Sequence, residues 1–328
     1  MVLDRFIRQV LFSIPSTGIA VQAPKLMNPQ TQPTINANGA TTYLKLERVQ
    51  GLSHQEFLQR YVIPRKPAIL LDAISTWPAL NKWGPEFWKR TYGERSVVVD
   101  GKNHRLKEIV ELALNSNPER PAPYYRNIKV RNEYPELMAD ISPYPPHCGP
   151  NWFHSLPFFP IRDRIVGGGG HYELFIGGAG RSFPFLHFDS PGAHTFIHQI
   201  VGRKKFILFA PEDGKYLYPG EGKSFSVSRI KNLDDTESST FPLYRHATRY
   251  EDEAGPGETL FMPSGWWHTA RMLSFSVSLG IDVANQTNWP DVVGYMRRRA
   301  SYENPVLALA YMTAIRTAGI AARMMGGR

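Results

Sequence analysis

Apolar residues change their spacing twice along the chain. In the stretch that begins at Tyr43, Ser53-x-x-Glu56 forms a capping box followed by Phe57, Leu58 and Tyr61 on one face, which predicts a short helix. Lys66-Pro67-Ala68-Ile69-Leu70-Leu71 reads as a buried strand, Trp77-Pro78-Ala79-Leu80 as a turn, Pro85–Tyr92 as a helix ending at Gly93, Ser96–Val99 as a strand and Leu106–Leu114 as a helix. Beyond residue 172 the texture differs. Short runs rich in Phe, Ile, Val and Leu, at 172–176, His194–Val201, Lys204–Phe209, Thr259–Met262, 268–272 and 275–281, are separated by Gly, Pro and Asp. Strands without long helices between them predict a sandwich or barrel. Helices return after Trp289, at 290–299 and 305–325, each with proline at its first position and the second capped by Asn304.

This pattern predicts a mainly β protein with flanking helices. Residues 1–42 form a polar N-terminal arm, 43–286 a β-rich domain with its α/β preface, and 287–328 a C-terminal helical extension. Ala308, Met312, Ile315, Gly319 and Ala322 fall on one helical stripe. That stripe packs against the chain's own β-domain or, as the alternative, forms a homodimer seam.

Composition narrows the class. A chain of 328 residues, 42% hydrophobic and 20% charged, has the material for a substantial core, which excludes disordered, collagen-like and disulfide-scaffold proteins. The net charge of +9 favours anionic partners. Cys148 is the sole cysteine, so no intrachain disulfide or Cys-x-x-Cys zinc pair exists, its expected role is a small buried apolar side chain, and a reducing cytoplasm is the expected compartment. Residues 1–23 imitate an export signal, with Arg5 and Arg8 ahead of Val10-Leu11-Phe12, but Ser13, Pro15 and Ser16 interrupt the apolar core. No apolar run is long enough to span a bilayer, so no membrane partner is expected.

His187-Phe188-Asp189 carries the candidate chemistry. Strand alternation sends His187 and Asp189 to one side and Phe188 to the other. His268 follows far downstream, in Gly265-Trp266-Trp267-His268, where a turn feeds a strand. Two imidazoles and one carboxylate on one face of a metal leave the opposite positions open, an arrangement suited to Fe(II) and oxygen rather than to a closed zinc site. Gly202 separates two strand-like runs and predicts a hairpin that returns Lys204 toward the ligand strand. Alternation groups Lys204 with Phe206 and Leu208, and a lysine among apolar neighbours requires an anion. The distal carboxylate of 2-oxoglutarate is one such anion; a surface lysine in Arg203-Lys204-Lys205 is the alternative. Thr195 and Ile197 share the parity of the ligands, which makes Thr195 a second candidate for the cosubstrate.

His187-Phe188-Asp189, Gly202-Arg203-Lys204-Lys205-Phe206-Ile207-Leu208-Phe209 and Gly257-Glu258-Thr259-Leu260-Phe261-Met262-Pro263-Ser264-Gly265-Trp266-Trp267-His268 together resemble the JmjC, cupin-like 2-oxoglutarate oxygenases. Phe57, Tyr61, Lys66-Pro67, Trp77-Pro78-Ala79-Leu80, Trp83 and Tyr92-Gly93 are similar to the region before the barrel in the small-hydroxylase branch of that family, the branch of asparaginyl hydroxylases. The resemblance spans residues 43–283. It implies a double-stranded β-helix of the jelly-roll or cupin type, Fe(II) held by His187, Asp189 and His268, 2-oxoglutarate as cosubstrate and O2 as oxidant. It also implies that Lys204 meets the distal carboxylate, that Thr195 stands nearby, and that a tyrosine from an upstream strand joins them. Tyr124 and Tyr125 are the candidates, with Tyr125 preferred. Three residues before His187, where the family commonly carries Thr or Ser, this chain has Pro184, and two additional residues lie between Asp189 and Thr195.

The implied activity is hydroxylation of a peptide or protein side chain, or of a peptide-derived natural product, with release of succinate and CO2. The alternatives are a noncatalytic cupin-like binding module and an RNA-directed hydroxylase that uses the basic surface. Arg297-Arg298-Arg299 reads as a solvated helix face, so nucleic acid is the less favoured partner. Gly167–Gly170 lacks the Lys-Ser/Thr of a phosphate loop and reads as a flexible connection. His171, His194 and His198 are expected to be structural or substrate-facing rather than metal ligands.

Overall fold

The computed structural model describes residues 34–35, 41–155, 172–302 except 236 and 238, and positions 313, 316, 317, 319–321 and 324. The segment 1–30, the glycine run at 167–170, His171 and most of 305–325 lie outside the described residues.

Fourteen strands form among the described residues: β1 (Thr34–Ile35), β2 (Thr41–Thr42), β3 (Glu47–Val49), β4 (Ala68–Leu70), β5 (Ser96–Val99), β6 (Lys102–Arg105), β7 (Tyr125–Lys129), β8 (Tyr172–Gly177), β9 (His194–Val201), β10 (Lys204–Phe209), β11 (Tyr250–Ala254), β12 (Thr259–Met262), β13 (Trp267–Met272) and β14 (Ser276–Val283). One sheet has the order β3-β4-β12-β9-β14-β8-β7, and a second has β11-β10-β13. Every pairing in them is antiparallel except β3 with β4. The segment 182–187 extends the smaller sheet irregularly. Ser182 bridges to Arg271 and His187 to His268, and His187 and His268 exchange backbone hydrogen bonds of 3.0 and 2.6 Å. The result is a jelly-roll sandwich with flanking helices.

Alternation assigns the two faces of the larger sheet. Phe196, Ile200, Phe261, Val277, Leu279 and Ile281 point outward into a core shared with Phe57, Trp77, Trp83, Trp88, Leu106 and Ile109 of the preface. Burying each of these large side chains contributes about 1.5–3 kcal/mol, so the preface is packed firmly on the sheet. The capping box forms as the sequence predicts, with Ser53 Oγ accepting from Glu56 N at 3.2 Å and Glu56 Oε2 accepting from Ser53 N at 2.9 Å. The helices Pro85–Tyr92 and Leu106–Leu114 match their expected bounds. Trp77-Pro78-Ala79-Leu80, expected as a turn, leads into a short helix at Ala79–Lys82.

The expected hairpin at Gly202 does not form. The strands β9 and β10 belong to different sheets, and the chain turns the corner between them at Gly202, which has φ +71°. A Cβ at this position would lie 1.8 Å from the Phe275 carbonyl oxygen. Lys204 still arrives inside the sandwich, but through a change of sheet. At the other end of the domain, helix Trp289–Ser301 buries Trp289, Val292, Tyr295 and Met296, while Arg297 and Arg298 are exposed. Of the small-residue stripe only Gly319 is described. It is buried, and a Cβ there would fall 2.1 Å from Trp289 Nε1, so Gly319 packs closely on that indole.

Candidate metal and cosubstrate site

The second face of each sheet lines a cavity of about 80 Å³ between them. The register of the larger sheet sets Met262 opposite Thr195 and Thr195 opposite Asp282; the next inward row is Leu260, Ile197, Gly280 and Glu173. In the smaller sheet, Lys204, Phe206 and Leu208 lie opposite Met272, Ala270 and His268. Thr195, Ile197, Lys204, Phe206, Met262, Ala270, Gly280 and Asp282 all contribute to the cavity wall.

His187, Asp189 and His268 meet at one end of this cavity, each offering a ligand atom within 4.8 Å of the others, and among the described residues they form the one cluster able to hold a metal ion. Asp189 Oδ1 lies 3.4 Å from His187 Nε2, and Asp189 Oδ2 lies 3.5 Å from His268 Nε2. The Nδ1 atoms face backbone carbonyls, His187 that of Phe185 at 3.3 Å and His268 that of Trp266 at 3.1 Å. Each ring is thereby set to donate from Nδ1 and keep the Nε2 lone pair for a metal. Burial pushes the His268 imidazole down to about 4, against the opposing pull of Asp189, which keeps it in the neutral form that ligates. Burial alone would raise Asp189, yet the two histidines and the Thr195 hydroxyl hold its carboxyl well below the usual range. Neutral imidazoles and an ionised carboxylate are the donor set that Fe(II) takes in a facial triad. Phe183 stacks on His187 with centroids 4.6 Å apart and planes at 14°, and Phe185 meets the same ring edge-on at 5.1 Å.

Lys204 is 3% exposed, and its ammonium donates to Ser278 Oγ at 2.5 Å across the sandwich. It lies 5.5 Å above the Phe175 ring. Burial lowers its pKa to about 7. Lys204 is therefore a buried amine that pairs with no carboxylate among the described residues, four residues along β10 from the position opposite His268.

The preference for Tyr125 is corrected. Tyr124 lines the cavity, packed against Gly177, whereas Tyr125 points into the core on the other side of the sheet and shares a 3.0 Å hydrogen bond with Tyr134. Adjacent residues at the start of β7 face opposite ways, so only one of the pair could serve. Thr195 lines the cavity as its parity requires, but its hydroxyl lies 2.6 Å from Asp189 Oδ2 and 3.0 Å from Asp282 Oδ1, so its contacts are with these acids. Pro184 is exposed and offers no hydroxyl.

Ser278 and Asp282 were missed in the sequence. Their signal lies in Ser276-Val277-Ser278-Leu279-Gly280-Ile281-Asp282, where small or polar residues alternate with apolar ones. Asp282 is pushed well above the carboxylate range by burial and by the neighbouring Asp189. Glu173, which also lines the cavity, is paired with Lys129 and accepts from Asn127 Nδ2 at 2.9 Å. His194 and His198 lie outside the metal cluster and make contacts within the fold. His194 contacts Thr287 Oγ1 at 2.9 Å and accepts from Ser264 N at 3.0 Å, while His198 contacts Thr259 Oγ1 at 2.8 Å. Cys148 is buried with its sulfur 4.0 Å from His198 Nε2, and burial raises its thiol pKa. No helix among the described residues is long and apolar enough to cross a membrane.

Comparison with known proteins agrees with this geometry. Residues 54–291 match the model of the cupin-like domain family. Lysine-specific demethylase 8 of Xenopus tropicalis is 29% identical over 69% of this chain and 50% of its own length. The JmjC domain-containing protein 5 of Drosophila melanogaster is 27% identical over 77% of this chain and 64% of its own. Human tRNA wybutosine-synthesizing protein 5 is 25% identical over 74% of this chain and 78% of its own. The chain thus spans half to two thirds of the first two relatives. With a His-Asp-His cluster in a jelly-roll cavity and a family match over most of its length, this chain belongs to the cupin-like JmjC family of oxygenases, whose cofactors are Fe(II), 2-oxoglutarate and O2.

Proposed function

We propose that the protein hydroxylates a peptide or protein side chain, with succinate and CO2 as coproducts. The observation that carries this reading is the pairing of a three-ligand cluster at one end of the cavity with the buried Lys204 ammonium at the other. Bound iron supplies the redox chemistry: one oxygen atom of O2 enters the substrate C–H bond and the other enters succinate as 2-oxoglutarate loses CO2. His187, Asp189 and His268 hold the ion. Lys204, with Ser278, receives the distal carboxylate and replaces the water that this dianion loses on entry. Tyr124 supplies the aromatic wall beside it. Phe183 and Phe185 pack against the His187 ring and hold its orientation.

The substrate is expected to enter beside Phe183, Thr269 and Ala270. These residues line both the cavity and a second groove shared with Phe185, Ile230, Leu233 and Arg271. A partly apolar groove that borders the metal cavity at these three residues suits a side chain presented by an extended peptide. Substrate-dependent succinate release, together with a product heavier by one oxygen atom, tests the reading on a peptide library. Succinate formation that no peptide or protein stimulates would remove the proposed substrate class.

An RNA-directed hydroxylase is the second reading. It is supported by the +9 net charge and by similarity to a protein named for tRNA wybutosine synthesis. Stimulation of succinate release by tRNA, with affinity falling steeply as salt is added, would favour it over the peptide reading.

A further inference from the structure

We propose that Asp282 is a positioning residue for the metal centre: it donates a hydrogen bond to Thr195 Oγ1 and so commits the threonine's own proton to Asp189 Oδ2. The inference rests on reading His187, Asp189 and His268 as a metal site, and it adds a residue outside that set.

The argument is a count of protons. Thr195 Oγ1 lies 2.6 Å from Asp189 Oδ2 and 3.0 Å from Asp282 Oδ1. A hydroxyl has one proton to give and lone pairs to receive with. Two ionised carboxylates around it would leave one oxygen–oxygen contact without a proton, which is repulsive in a water-poor cavity. One acid must therefore bring a proton of its own. Asp189 stands between two imidazoles and is the acid that a metal requires ionised. Among the described residues no imidazole flanks Asp282, and Lys129, the cation in the adjoining row, is committed to Glu173. Asp282 is thus the donor, Thr195 the relay and Asp189 the acceptor.

Backbone register makes the relay rigid. Thr195 and Asp282 are directly opposed on β9 and β14, two central strands of the larger sheet. The distance between their side chains is set by the sheet and not by a loop. The shorter of the two contacts is the one to the ionised acid, as expected for a charge-assisted hydrogen bond. Orienting a ligating carboxylate through such a partner is typically worth 10–100-fold, in order of magnitude, in metal affinity.

The test is Mn(II) titration of the full chain by electron paramagnetic resonance, with folding of each variant followed by near-ultraviolet circular dichroism. Asp282→Asn keeps a neutral donor of the same shape, and its Mn(II) affinity should remain within about threefold of the parent. Asp282→Leu and Thr195→Val should each weaken Mn(II) binding roughly 10–100-fold, and the double variant should lose no more than the worse single one. Asp282→Asn as weak as Asp282→Leu would overturn the donor assignment. Asp282→Leu with parental affinity, or losses that add in the double variant, would overturn the relay while leaving the metal site standing. A parent chain that takes up no Mn(II) would overturn both.

Discussion

Lys204 and His268 face one cavity from neighbouring antiparallel strands, with His268 opposite Leu208, four residues along from Lys204. At about 3.4 Å per residue, four residues separate the two rows of the sheet by about 14 Å, part of which the lysine and histidine side chains span. The remaining gap suits a short diacid that chelates a metal at one end and carries a carboxylate at the other. Replacing Lys204 by alanine leaves such a diacid with a buried, unpaired carboxylate. The expected cost is about 3–5 kcal/mol in 2-oxoglutarate binding, with Mn(II) affinity unchanged. Calorimetric titration of 2-oxoglutarate into the Mn(II)-loaded variant checks this, and an unaltered affinity would exclude Lys204 from the cosubstrate site.

The same burial makes cosubstrate binding depend on pH. Lys204 is lowered to about 7, so the free protein carries a charged lysine below that pH and an increasingly neutral one above it. The bound dianion favours the ammonium form, so binding above about pH 7 takes up one proton. Affinity should be flat on the acid side and fall up to about tenfold per pH unit on the alkaline side. Calorimetry in two buffers of different ionisation enthalpy reads the proton directly. Binding that is independent of buffer at about pH 8 would contradict this coupling.

Tyr124 and Tyr125 offer a paired control, because neighbours in one strand serve different cores. Tyr125→Phe leaves the Tyr134 hydroxyl without its 3.0 Å partner and should cost about 1 kcal/mol of stability with no change in the KM for 2-oxoglutarate. Tyr124→Phe alters the cavity wall and should raise that KM instead. The reverse pattern in thermal melts and steady-state kinetics would restore Tyr125 to the site.

These residues also show how far the chemistry was legible in the sequence. Local pattern was enough for β9, β10 and β12, because alternation and flanking Gly or Pro fix strands whose two faces both meet protein. It gave no sign of β11, Tyr250-Glu251-Asp252-Glu253-Ala254, where three consecutive acids hide any alternation. Its acids are matched by partners from elsewhere in the chain: Lys205 on Glu251 at 2.7 Å and Arg203 on Glu253 at 2.9 Å. Long-range charge pairing of this kind has no local signature. The ligands were legible because their chemistry restricts residue type. The facing of Tyr124 against Tyr125 depended on the register with β8, where the pairing shifts between Tyr125 and Ile128. The role of Gly202 depended on which sheet each strand joined.

Gly202 therefore makes a prediction that tests the fold apart from the chemistry. A hairpin glycine at positive φ tolerates Asn or Asp, whereas a sheet-changing corner pressed on a backbone carbonyl tolerates no Cβ. Left-handed backbone alone costs an alanine about 1–2 kcal/mol, and the 1.8 Å approach to the Phe275 oxygen adds to it. Gly202→Ala and Gly202→Asn should each destabilise the chain by more than about 2 kcal/mol in urea unfolding. Wild-type stability in the asparagine variant would indicate the hairpin.

Asp189 links the metal centre to stability, with a sign that separates ligand from scaffold. Its carboxylate is held in the ionised form by two histidines and a hydroxyl, yet it sits in a cavity where burial opposes charge. Removing it from the metal-free protein removes that desolvation cost together with its hydrogen bonds, so Asp189→Ala should leave the metal-free melting temperature within a few degrees of the parent. The parent should gain stability with added Mn(II), by about 2.7 kcal/mol at 100 times Kd. The variant should gain none and show no turnover. Stabilisation of Asp189→Ala by Mn(II) equal to that of the parent would place the ion elsewhere and take the oxygenase reading of His187, Asp189 and His268 with it.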